Sequence, residues 1–156
     1  MSILADGTDH TLLEIDPVAE EITVDDGQVL TRTNHFLHSP STETENSTSR
    51  RERALELLEE AERFDREKLW ALARDHANGP GDHSICRHRE PETDAPHAFG
   101  QLTTASTAVF EGGSPAIEIG MGVPCQAERT RCVLGESMPA DIRTGGRWLE
   151  RVRYLD

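Results

Sequence analysis

The apolar and polar positions of residues 11–15 (TLLEI) and 20–24 (EEITV) read as short strands. Asp26 and Gly27 then supply a tight turn, because glycine accepts the positive φ that short hairpin loops require. Residues 29–33 are predicted to return as the second arm, which puts Asn34 at a strand end, where a rigid element meets a loop. Residues 39–49 turn to Ser, Thr, Glu and Asn and read as a loop. The period then changes. Ser49 and Glu52 have the spacing of a capping box, and Ala54, Leu57, Leu58 and Ala61 follow at i, i+3, i+4 and i+7, which predicts a helix from Ser49 onward. A second helix is predicted over 65–76, burying Leu69, Leu72 and Ala73 with help from Trp70, and Asn78, Gly79, Pro80 and Gly81 stop it.

Residues 83–88 (HSICRH) read as a brief strand and 90–96 as a polar, proline-bounded connection. The Thr- and Ala-rich stretch 101–110, a turn at 111–115 and the alternating Ile117, Ile119 and Met121 predict a second hairpin. Beyond Cys125 the patterning fades. Residues 146–155 have the spacing of a short amphipathic helix carrying Trp148, Val152 and Leu155, at a terminus where fraying competes. Strand hairpins flanking a helical pair make the chain α+β. Residues 1–9 carry no such pattern and are expected to be disordered.

Composition narrows this picture. At 156 residues the chain is one ordinary domain, but an apolar fraction of 35% and an aromatic fraction of 4% predict a thin core, or one completed by another chain. The formal charge is −13, and of the 16 basic residues only Lys68 is a lysine. Acidity spread among periodic patterns, with almost no lysine, suggests a surface adapted to high salt, where screening weakens self-repulsion. Such a body excludes general nucleic-acid binding. The tail from residue 128 is the exception, since residues 129–156 hold six arginines against four acids. No apolar run approaches membrane-spanning length, the N-terminus has no secretory pattern, and Cys86, Cys125 and Cys132 form no CxxC pair. A cytoplasmic protein is expected.

Candidate chemistry is sparse. An Asn34 amide can donate to a developing oxyanion and His35 can act as a general base, but an asparagine at a strand end is far more often a turn cap. His83, Cys86 and His88 lie close together, with His76 upstream and His97 downstream, yet no pair has zinc-finger spacing and no HExxH occurs. No metal and no cofactor are expected. Cys86 has Arg87 and His88 beside it, but neighbours on a strand point to opposite faces, so Arg87 would not face the sulfur. Cys125 reads as a packed small hydrophobe. Removal of Met1 would expose Ser2 as a nucleophile with its own amine as base, but nothing around it reads as a strand that could present it.

Taken in order, DGQVLTRTNHFL at 25–36, SRRERALELL at 49–58, LWALARDHANGP at 69–80, SICRH at 84–88, TTASTAVF at 103–110 and IGMGVPC at 119–125 form a set. This set resembles the C-terminal half of the acyl-CoA:6-aminopenicillanic acid (isopenicillin N) acyltransferase family of cysteine N-terminal nucleophile hydrolases. The resemblance covers residues 10–127. It implies part of an αββα sandwich, two antiparallel sheets between helical layers. It also implies attack on an amide carbonyl by an N-terminal cysteine whose own α-amine is the base, with the acyl group passing to water or another acceptor. Asn34 corresponds to the family's oxyanion-stabilising residue. Arg50 resembles the arginine near the nucleophile in the related choloylglycine hydrolases, where a guanidinium stabilises thiolate or orients substrate.

The family's nucleophilic cysteine and its neighbouring aspartate belong to the half that precedes this pattern, so the nucleophile is expected outside this chain. The chain is then a piece of a split or truncated gene, a subunit with a separate N-terminal partner, or a degenerate remnant acting as an interaction or structural protein. Self-association into a homo-oligomer is compatible with each.

Overall fold

The computed structural model of the chain describes residues 2–5, 10–16, 20–26, 29–34, 37, 43–60, 65–79, 81–87 and 104–143. The protein is α+β, with two three-stranded antiparallel meanders and two helices between them in sequence. The first sheet runs β1 (Ser2–Ala5), β2 (His10–Asp16) and β3 (Glu21–Asp25). Ser2 lies opposite Leu13 across β1 and β2, and Leu12 opposite Asp25 across β2 and β3. Part of the stretch expected to be disordered is thus a strand, and Ser2, for which no strand was expected, opens it.

The first hairpin also differs from its prediction. β3 pairs back onto β2 through residues 17–20, not forward through Asp26 and Gly27, and 29–33 forms no strand. Side chains decide this. Arg32 crosses the face of the sheet, donating from Nε to Glu14 Oε1 at 3.0 Å and from Nη2 to Asp25 Oδ2 at 2.9 Å, with Nη1 on its neighbour's Thr31 carbonyl. The Arg32 and Glu14 side chains are each only 4% exposed, so the carboxylate buried beside Leu12 is neutralised by Arg32. The Leu37 N–H also donates to Glu14. These partners hold 29–34 as an irregular segment across the sheet.

Helix α1 (Glu45–Glu59) begins four residues before the predicted start, with Thr44 as N-cap and no side-chain cap bond. Its first turn is poor in strong helix formers, and tertiary contact overrides that propensity: Ser47 is fully buried against residues 33 and 34. Ser49 therefore sits inside the helix, so it is not its cap. Helix α2 (Arg66–Ala73) is capped by Asp65, whose side chain accepts from the Lys68 N–H at 2.9 Å. It ends before its predicted limit, and the Asp75 carbonyl instead accepts from the Cys86 N–H and the Ser84 hydroxyl. That exchange keeps 83–87 irregular where a strand was predicted; His88 lies outside the described residues.

The second sheet contains the predicted hairpin, β4 (Ser106–Phe110) and β5 (Ala116–Met121), with Phe110 opposite Ile117 and the turn closed through Gly113 at φ 76°. The fading pattern beyond Cys125 conceals a third strand, β6 (Arg129–Val133), paired with β5. Residues 140–143 add one helical turn that buries Ile142; the predicted helix at 146–155 lies outside the described residues. Trp70 organises this half. It is 1% exposed and lies over Gly120, where an added Cβ would sit 3.0 Å from the ring. Its Nε1 donates to Glu118 Oε2 at 2.8 Å, and Arg74 and Arg129 stand near its faces at 5.8 and 5.7 Å. The buried positions of β5 are thus Ala116 and Gly120, while Ile117, Ile119 and Met121 are half-buried.

Candidate functional site

The start of α1 and the 31–34 segment close a small polar relay. The Asn34 N–H donates to Ser47 Oγ at 2.9 Å, the Ser47 hydroxyl donates to Thr33 Oγ1 at 2.8 Å, and the Thr33 hydroxyl donates to the Ser47 carbonyl at 2.9 Å. Ser47 is fully buried and every group of the relay is satisfied, so the backbone of Asn34 is fixed relative to α1.

One turn further along α1, Arg50 reaches the same residue. Its Nη2 lies 3.0 Å from Asn34 Oδ1, and its Nε donates to the Asn46 carbonyl at 2.9 Å. A guanidinium has only donors, so the amide atom it meets must be oxygen, and the Nδ2 group of the exposed Asn34 is directed away from it. Burial and the like charge of Arg87 lower the pKa of Arg50, and Asp82 opposes them. Arg50 stays charged at any working pH. Asn34 is therefore an amide donor with a cation behind it, which is the polarity that meets an oxyanion or a carboxylate.

The structure brings the two predicted site residues, Asn34 and Arg50, into direct contact. His35 lies outside the described residues. A further pair was not apparent from the sequence: Ser49 Oγ lies 3.2 Å from His83 Nδ1, joining α1 to the loop after α2. In the sequence Ser49 reads as a cap and His83 as one of a group of histidines, so no spacing signal links them. An open depression of about 590 Å³ beside Ser49 is lined by Glu43, Thr44, Thr48 and Glu52 as well. The cleft between α1 and α2, about 210 Å³ and lined by Leu57, Leu58, Leu69 and Leu72 with Glu60 and Lys68, contains none of these groups.

Cys86, fully buried, is grouped with Cys125 and His76, a company the sequence did not suggest, and burial pushes its thiol up to about 11. A thiol raised in this way is protonated at neutral pH, and the thiolate is the nucleophilic form. Among the described residues no helix is long and apolar enough to cross a membrane. No family model matches this chain, and no curated protein matches it either.

Proposed function

We propose that this chain is the C-terminal portion of an acyltransferase or amidohydrolase of the cysteine N-terminal nucleophile class, related to the isopenicillin N acyltransferases. It supplies an oxyanion donor to a cysteine that lies outside it. The observation that carries this reading is the 3.0 Å contact from Arg50 to Asn34 Oδ1, which orients the amide as a donor. In the reaction, the external cysteine adds to an amide carbonyl, and the oxygen that becomes negative is met by Asn34 Nδ2. Arg50 polarises the amide and adds positive field at the same place. The two meanders are the sheets of a partial αββα sandwich.

The test is an assay of N-acyl amide hydrolysis and acyl transfer. It uses the purified chain alone and the chain co-expressed with whatever product is encoded immediately upstream. Activity is expected only in the pair, is abolished by thiol alkylation, and falls about 10²–10³-fold in Asn34→Ala, the usual cost of one oxyanion donor. Robust cysteine-dependent activity from this chain alone would sink the claim that its nucleophile lies elsewhere.

A second reading, an inactive remnant that acts as an interaction protein, is favoured by one observation. Ile22 and Val24 on β3 are 68% and 63% exposed, an apolar edge-strand surface that calls for a partner or a second copy. Light scattering in low and high salt separates the two readings from a simple monomer.

A further inference from the structure

His76, Cys86 and Cys125 come from three separate segments, yet their ligand atoms all lie within 4.8 Å of one another. His76 follows the end of α2, Cys86 lies in the irregular 81–87 loop, and Cys125 sits in the turn between β5 and β6. Backbone contacts hold the three together independently of the side chains in question. The Cys86 N–H donates to the Asp75 carbonyl at 3.1 Å, which fixes the loop beside His76. Arg74 Nε donates to the Pro124 carbonyl at 3.0 Å, which fixes the turn beside the same helix end. The turn itself is closed by Gln126 and Ala127, whose N–H groups both meet the Val123 carbonyl at 2.9 Å. The Asp75 carboxylate is in turn gripped by Arg53.

The geometry points to a zinc site made of Cys86 Sγ, Cys125 Sγ and a ring nitrogen of His76, with a fourth position for water or another ligand. Two thiolates and a neutral imidazole are a soft donor set whose charge balances one Zn²⁺, and three protein ligands with an open fourth position are a familiar zinc arrangement. Zn–S and Zn–N bonds of their usual lengths require ligand atoms about 3.6–3.8 Å apart in a tetrahedron, so each side chain needs to move by less than about 1 Å. On binding, Zn²⁺ replaces the two thiol protons, which leave to solvent, and the sulfurs keep their electron pairs as Zn–S bonds. No electron is transferred. The site is independent of the acyl-transfer reading, since none of its residues touches Asn34 or Arg50 in that reading.

The test uses the untagged full chain, stripped with a chelator under reducing conditions and titrated with Co²⁺ and then Zn²⁺. Stoichiometric binding is expected, with the intense thiolate-to-cobalt charge-transfer band and tetrahedral d–d bands, both erased by one equivalent of zinc. The thermal midpoint should rise about 5–10 °C at a hundredfold excess of zinc over its Kd. Cys125→Ala and His76→Ala should weaken binding beyond the roughly 10–100-fold that outer-shell changes cost, while Cys132→Ala binds as the parent does. Absence of the thiolate band in the parent chain, judged on folded protein by circular dichroism, overturns the proposal whatever the variants do. So does an equal loss in Cys132→Ala. Protection of Cys86 and Cys125 from thiol reagents by a mutual disulfide, with no zinc uptake after reduction, also overturns it.

Discussion

The two sheets solve one problem, a shortage of apolar residues, in opposite ways. The second sheet spends the scarce aromatic content on one ring: Trp70 covers Gly120, and its single polar atom is given to Glu118. The first sheet buries charge instead, with Leu12 beside a Glu14–Arg32 pair that is 4% exposed on both sides. A packed ring is stabilising through the area it removes from water. A buried ion pair roughly offsets its own desolvation, and its main effect is to dictate which segment lies where. The second half thus has a core, whereas the first has a specification. That asymmetry fits the place of the candidate site, because the specified segment is the one that carries Asn34.

The comparison breaks first at Trp70. Trp70→Ala is expected to cost about 3–5 kcal/mol, read as a lower urea midpoint, because it opens a large cavity under the second sheet. Glu14→Ala is expected to cost about 1–3 kcal/mol, because it leaves the buried Arg32 guanidinium with Asp25 as its remaining carboxylate and takes the acceptor from the Leu37 N–H. The sharper measurement is the double replacement Glu14→Leu with Arg32→Met. If the pair specifies position rather than supplying stability, the double variant unfolds close to the parent midpoint. It should nonetheless lose the protection of the Asn34 amide in hydrogen exchange. A double variant as unstable as the single would show that the ion pair is a true energetic core.

Legibility in the sequence divides along the same line. The second hairpin was readable because its partners are adjacent and its turn residues, Gly112 and Gly113, announce themselves. Both helices were readable from apolar spacing, though the Asp65 cap of α2 appears only in the structure. The start of α1 was not, since residues 45–49 look like a loop until Ser47 is seen buried against a segment 14 residues away. The strand predicted at 29–33 failed for a related reason: alternation is identical in a strand and in a segment held across a sheet by an arginine. β6 was hidden by its arginines, which an exposed edge strand tolerates. Asn34 and Arg50 are singled out through the family resemblance, but their contact is visible only in the structure. The His76, Cys86 and Cys125 cluster had no local signal, because its members meet only through tertiary contacts.

The halves are joined by Arg53 on α1 and Asp75 after α2, in contact at 3.0–3.2 Å. Burial pushes the Asp75 carboxyl up, but the Arg53 hydrogen bonds and the Ala77 N–H more than offset this and hold it below the ordinary value. A depressed carboxylate contributes stability that is complete above its unfolded value of about 3.9 and is lost as pH falls through the folded value. The urea midpoint should therefore decline below about pH 4, and Arg53→Gln should flatten that decline. An unchanged acid limb in Arg53→Gln would mean that the tie between the halves lies elsewhere.

The smallest effect belongs to the turn that sets the register of the first sheet. Glu20, which precedes β3, has φ 56°, the only positive φ at a non-glycine residue among those described. A side chain there crowds its own backbone at a cost of roughly 1–2 kcal/mol, partly recovered when glycine replaces it because glycine loses more freedom on folding. Glu20→Gly is accordingly expected to raise stability by up to about 1 kcal/mol. Glu20→Val, which adds β-branching at the same φ, should lower it. If the first half is specified by the Arg32 contacts rather than by this turn, neither change alters the exchange protection of the Asn34 amide. A loss of that protection in Glu20→Val alone would transfer the specification from the buried pair to the turn.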